Sequence, residues 1–225
     1  LVLSAYPQYS ATTTASVWDD VCQWMKRHRN LPEMRWVKHY HDHPQYIAAL
    51  ASQVRRHWEA KGRQAHLVMS FHGVPQRTLE LGDPYHCECH KTGRLLAQAL
   101  SLQPDQYTLT FQSRFGKAKW LEPYTEPTVK QLAQAGHASV DVICPGFVTD
   151  CLETLEEIAM EVQTAFIESG GQDFGYIPCL NSDDQWIDAL VDIAGEHMQG
   201  WNLSRPLNTQ ESMHQRERAL ALGAK

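Results

Sequence analysis

SFHGVPQRT, residues 70–78, ends an apolar run with a histidine and then turns on Gly73 and Pro75. The run before it is short, apolar and rich in β-branched and aromatic residues, which predicts a buried strand over residues 65–71. A titratable imidazole just past such a strand stands where open α/β sheets bind ligands, because loops there present side chains over a rigid platform. His72 is therefore the first candidate for chemistry, since a neutral imidazole accepts a proton or binds a metal near neutral pH. A structural histidine satisfied at a strand end fits the same nine letters equally well.

Working outward, further runs of this kind predict strands over residues 34–40, 107–112, 140–144 and 174–178. Helical periodicity predicts helices over 14–28, 44–61, 84–102, 126–135, 152–169 and 183–201. Strands alternating with helices make the chain α/β with a parallel sheet. In that arrangement residues 40–43, His72, the 112–120 loop and the 145–153 turn all open onto one sheet edge. After Trp201 the pattern fades into NLSRPLNTQESMHQRERALALGAK, a peripheral helix or frayed tail.

The 225 residues suffice for one large or two modest domains. A net charge of −6, from 26 acidic and 20 basic residues spread along the chain, offers no basic run for a phosphate backbone, so nucleic acid is not expected as a partner. No apolar run approaches the roughly 20 residues that span a bilayer, and no signal-peptide pattern opens the chain. Six scattered cysteines suit reduced thiols, and a soluble, cytoplasmic protein is the expectation.

CPGFVTDCLETLEE, residues 144–157, runs from a strand end through a Pro-Gly turn into an acidic helix. Asp150 is the expected N-cap, and Glu153 falls in the first turn, where the helix dipole favours a carboxylate. Glu153, Glu157 and Glu161 follow at four-residue spacing, a stripe of hard oxygen ligands suited to passing a divalent cation inward. The same acids also fit an ordinary solvated helix face. HCECH, residues 86–90, resembles a metal cluster but has no second Cys-x-x-Cys, so ordinary helix residues are expected. HYHDHP, residues 39–44, raises the same question, and solvated loop histidines are expected there. Tyr6, Trp120, Tyr124 and Phe147 lie in or beside loops, where they either wall a slot for a flat apolar ligand or fill the core periphery. Neither common glycine-rich phosphate loop is present, which argues against a nucleotide enzyme.

YPQYSATTT, SFHGVPQR, GDPY, FQSRFGKAKWLEPYT, CPGFVTDCLETLEEI and YIPCLN, in that order along the chain, resemble ferrochelatase, the porphyrin metal-insertion family. The resemblance implies two similar Rossmann-like parallel-sheet lobes with the porphyrin between them. It makes this chain the C-terminal part, with residues 1–31 ending the first lobe, 32–175 forming a complete second lobe and 176–225 returning to the first. It further implies His72 and Glu153 as the catalytic pair facing each other across the macrocycle, and His72, Glu153 and Glu157 as metal contacts. Tyr6, Trp120 and Phe147 are the implied porphyrin-binding aromatics.

Under this resemblance the substrates are protoporphyrin IX and ferrous iron, no further cofactor is required, and peripheral membrane contact is a further expectation. An iron–sulfur cluster of the animal type is not expected, because Ala11 stands where the first cysteine would be and no cysteine follows Cys179. A related chelatase acting on coproporphyrin or sirohydrochlorin, and an inactive tetrapyrrole-binding fragment, are the alternatives. Metallation removes two pyrrole protons and strips a hydrated ion, so a pocket that bends the ring and holds a base to one face lowers both barriers.

Overall fold

The structure, a computed structural model, describes residues 1–62, 65–203 and 209–224. Its elements alternate along the chain. The short β1 (Val2–Leu3) is followed by α1 (Ser16–Lys26), β2 (Trp36–Val37) and α2 (Pro44–Lys61). Next come β3 (His66–His72), α3 (Gln76–Glu80), α4 (Tyr85–Ala99), β4 (Tyr107–Gln112), α5 (Thr125–Gln134) and β5 (Ser139–Ile143). A π-helix (Glu153–Val162) runs directly into α6 (Gln163–Glu168), and β6 (Asp173–Ile177), α7 (Asp184–His197) and α8 (Thr209–Ala221) complete the order.

The main sheet has four parallel strands in the order β4-β3-β5-β6, and β1 and β2 form a separate parallel pair. β3 is flanked on both sides and covered on both faces, so it needs an unbroken apolar run rather than an alternating one. Its alternate residues feed two cores: Leu67, Met69 and Phe71 pack with α2, α4 and α7, while Val68 packs with α5, the π-helix and α6. Each such side chain removed from water contributes about 1.5–3 kcal/mol.

The strands fall within one or two residues of their expected places except at residues 34–40, where only Trp36–Val37 pairs. The helix expected over 152–169 begins instead as a ten-residue π-helix, a form that apolar periodicity does not distinguish from an α-helix. A π-helical turn, Ala11–Ala15, likewise precedes α1. Helix α7 buries Trp186, Ala189 and Ile193 in the same core as Tyr46 and Leu50 of α2. Helix α8 buries no side chain, and residues 204–208 and 225 of the expected tail lie outside the described residues.

Candidate active site

His72 is the last residue of β3, paired in register with Gln112 at the end of β4. The Tyr85 hydroxyl donates to the His72 carbonyl at 2.8 Å, which pins the strand end. The chain then leaves the sheet: Leu121 N donates to Val74 O at 3.0 Å and Gln76 N to Lys119 O at 2.9 Å, carrying Trp120 alongside. Gly73 permits this crossing, since a Cβ there would stand 2.8 Å from Gln112 O and 3.1 Å from the Trp120 ring. The His72 ring lies 6.5 Å from Trp120 and 6.2 Å from Phe147, centroid to centroid. His72 Nδ1 is 2.6 Å from the Gly73 carbonyl, which can only accept. In the neutral tautomer the proton therefore sits on Nδ1 and the lone pair on Nε2.

These residues wall a cavity of about 550 Å³ beyond the carboxyl ends of the strands. Tyr6, His72, Trp120, Phe147 and Glu153, far apart in the sequence, all line it. So does Gln8, which lies inside the YPQYSATTT motif but was not itself expected at the site. Its amide donates to Thr92 Oγ1 at 3.0 Å and ties the Tyr6 segment to α4. A cavity of this size with mostly aromatic and aliphatic walls and few polar groups is the ordinary form of a small-molecule site.

Glu153 opens the π-helix and is half-buried. The Cys151 thiol and its own backbone amide hold its carboxyl below the usual glutamate range, burial opposes them, and His72 adds a smaller pull downward. It is a carboxylate at neutral pH. Glu157, one turn further, does not line the cavity. Its oxygens take hydrogen bonds from Ser113 N at 2.6 Å, Ser113 Oγ at 2.6 Å and Gln112 Nε2 at 3.2 Å. Gln112 Nε2 also donates to the Glu153 carbonyl at 2.7 Å, which ties the start of the π-helix to the end of β4. Ser113 holds a left-handed backbone, φ 62°, to do this. Gln112 and Ser113 lie inside a motif that the sequence singled out, but nothing in their types announces the role.

Other expectations are corrected here. Asp150 is not a helix cap: its Oδ1 accepts from Cys179 N at 3.1 Å and from the Tyr176 hydroxyl, and its Oδ2 from Asn181 Nδ2 at 2.7 Å. These partners draw it to the loop after β6 and away from the helix amides, and the residue at the cap position, Leu152, makes no side-chain cap. Residues 40–43 do not line the cavity; Tyr40 N instead donates to the Pro7 carbonyl at 3.0 Å, which ties this loop to the segment between Tyr6 and Gln8. Tyr124 also stays outside it, under the Arg114 guanidinium at 4.9 Å. The histidines of HYHDHP are not simply solvated: His41 is only 4% exposed, and His39 and His41 converge on buried Glu88 of α4.

With this geometry in place, comparison with known proteins is informative. The ferrochelatase family's sequence model matches residues 1–198. A ferrochelatase of Polaromonas sp. is 61% identical over 224 residues, spanning 100% of this chain and 61% of the relative. One from Herminiimonas arsenicoxydans is 64% identical over 201 residues, spanning 89% of this chain and 55% of the relative. The chain thus spans about 60% of the length of such relatives. Among solved structures, SirB from Bacillus subtilis with Fe3+ superposes with a TM-score of 0.57 at 12% identity, covering 85% of this chain and 68% of that one. CbiX, described as the terminal enzyme for biosynthesis of siroheme in denitrifying bacteria, gives 0.55 at 13%, covering 85% and 73%. At those identities the likeness speaks for the fold alone.

Proposed function

The chain belongs to the ferrochelatase family, and from that membership we propose that it is the C-terminal, porphyrin-holding part of a lyase that inserts ferrous iron into protoporphyrin IX to give protohaem in haem biosynthesis. The observation that carries this reading is the convergence of His72 and Glu153 with Tyr6, Trp120 and Phe147 on one cavity. The aromatic walls suit the faces of a flat macrocycle. His72 Nε2, the ring's acceptor, takes one pyrrole proton at a time and passes it to solvent before accepting the second, and the Glu153 carboxylate attracts the incoming ion and replaces part of its water shell. Glu157, with both oxygens engaged by Gln112 and Ser113, fixes the π-helix and adds negative potential behind Glu153 rather than an open ligand position.

The proposal includes no iron–sulfur cluster of the animal type, given Ala11 at the place of that type's first cluster cysteine. It retains the division at residue 31, while the one at 175 falls inside β6, whose residues pair with β5 from Asp173 to Ile177. It also places the protein in the cytoplasm with peripheral membrane contact. Among the described residues no helix is long and apolar enough to cross a membrane. Leu152 and Leu155, neighbours of the cavity-lining Glu153, are exposed and suit an apolar surface.

The test is ferrous or zinc insertion into protoporphyrin, followed as loss of porphyrin fluorescence, on this chain and on a form extended to the length of the Polaromonas relative. Insertion by the extended form that disappears with His72→Ala is the expected result. Turnover of coproporphyrin or sirohydrochlorin in preference to protoporphyrin would replace the substrate assignment, and insertion unaffected by His72→Ala would remove the catalytic one.

A further inference from the structure

Away from the cavity, HYHDHP and HCECH come together in a way neither stretch announces. His39 Nδ1 lies 2.6 Å from Glu88 Oε1, and His41 Nδ1 lies 3.3 Å from Glu88 Oε2. One donor atom from each of the three residues falls within 4.8 Å of the others. The two rings stand 4.8 Å apart, edge to face, so their nitrogens approach one carboxylate from different directions.

The His41 side chain is 5% exposed, and its Nδ1 is buried without a hydrogen-bond partner. At 3.3 Å from Oε2 it has the distance of a contact but not the angle of a hydrogen bond. A buried polar nitrogen left in that state costs free energy, which a ligand at the same place would recover. Lys91 is engaged by Asp42 and Lys38 lies over the Tyr9 ring at 4.9 Å, so neither ammonium is shown on the carboxylate.

We propose that His39, His41 and Glu88 form a second metal site, separate from the cavity, that takes a borderline divalent ion of the zinc, cobalt or ferrous class. Two imidazoles and a carboxylate, with a fourth position left to water, are an ordinary donor set for such ions. Donors about 2 Å from an ion stand roughly 3.3 Å apart at a tetrahedral centre. His41 and Glu88 already have that spacing, and His39 must draw back from its direct hydrogen bond.

The ion would act as a clamp. Glu88 Oε2 also accepts from Tyr9 N at 2.7 Å, Thr92 Oγ1 donates to the His41 carbonyl at 2.7 Å, and Gln8 donates to Thr92 Oγ1 at 3.0 Å. A metal here therefore ties together the 39–41 loop, α4 and the segment that carries Tyr6 and Gln8 into the cavity wall.

The experiment titrates the metal-free 225-residue chain with Co²⁺ alone, in a His72→Ala/Glu153→Gln background that disables the cavity pair. The expected result is a visible ligand-field band saturating at one equivalent, and a higher melting temperature with Co²⁺ present. Adding His39→Ala/His41→Ala should abolish the band and weaken binding by about tenfold or more. Glu88→Gln, which keeps an oxygen for Tyr9 N, should do the same without disturbing the fold, and it decides the matter if the double variant does not fold. His86 and His90, whose Nε2 atoms are 3.1 Å apart on the exposed side of α4, are the competing pair. His86→Ala/His90→Ala should leave the band intact. Loss of the band in that variant, no Co²⁺ binding in the background, or unchanged binding without His39, His41 and Glu88 would each overturn the proposal.

Discussion

Two imidazole–carboxylate pairs flank the same sheet and have opposite characters. On the α2 face, His57 Nε2 lies 3.1 Å from Asp141 Oδ1 and Trp58 Nε1 donates to Asp141 Oδ2 at 2.9 Å, with Asp141 fully buried in β5. Gly175 on the neighbouring strand makes the room, since a Cβ there would fall 2.0 Å from Asp141 Oδ1. At the carboxyl edge, His72 and Glu153 face a cavity, and the His72 ring makes its close hydrogen bond to a backbone carbonyl rather than to a carboxylate. The first pair is closed by its partners and holds the fold together. The second keeps its lone pairs accessible, which is the state that chemistry requires.

The contrast can be tested, starting with the largest effect. His72→Ala should lower metal insertion by the length-extended form by about 10²–10⁴-fold, the usual range for a removed general base, while leaving the unfolding midpoint nearly unchanged. Asp141→Ala should do the reverse, costing about 3–5 kcal/mol of stability in urea unfolding, because it leaves His57 and Trp58 without their buried partner. If the two variants exchanged phenotypes, the distinction between closed and open pairs would fall.

Ser113→Ala should cost about 1–2 kcal/mol and reduce insertion modestly, because one of the hydrogen bonds anchoring Glu157 is lost while Ser113 N and Gln112 remain. The smallest effect concerns Asp150. Burial raises its carboxyl, but hydrogen bonds from Tyr176, Asn181 and Cys179 outweigh burial and leave it below the ordinary aspartate value. Its contribution is therefore complete above the unfolded value of about 3.9 and disappears as pH falls through the lower folded one. Asp150→Asn should lower the urea midpoint at pH 7, and the gap to the unsubstituted chain should narrow below about pH 3.9. A gap constant down to pH 2 would show that the carboxylate charge plays no part.

Much of the site was legible because its residues sit at punctuation marks. His72 ends an apolar run before Gly73, Trp120 and Phe147 lie in loops, and Glu153 starts a helix after a Pro-Gly turn. Strand ends and helix starts are local events, and local sequence reports them. Asp150 shows the limit, since a residue of capping type in a capping position was drawn instead to Asn181 and Cys179, about thirty residues away. Gln112 and Ser113 were illegible for the same reason: their meaning lies in a carboxylate on another element. The π-helical form of Glu153–Val162 could not be seen either, because shifting backbone partners from the fourth to the fifth residue barely alters the apolar pattern.

The sequence by itself determined the α/β alternation, the parallel sheet with its doubly buried central strand, the family, and five of the cavity's residues, Tyr6, His72, Trp120, Phe147 and Glu153, since each depends on local periodicity or on short motifs. The tertiary structure alone decided which polar groups are closed and which remain open. His57 and Asp141, His39 and Glu88, and Glu157 and Ser113 are each separated by tens of residues, and only the packed chain brings them within hydrogen-bonding distance. Burial and saturation are properties of the space around a side chain, so the same residue type serves as a fold-holding pair in one place and as a candidate catalyst in another.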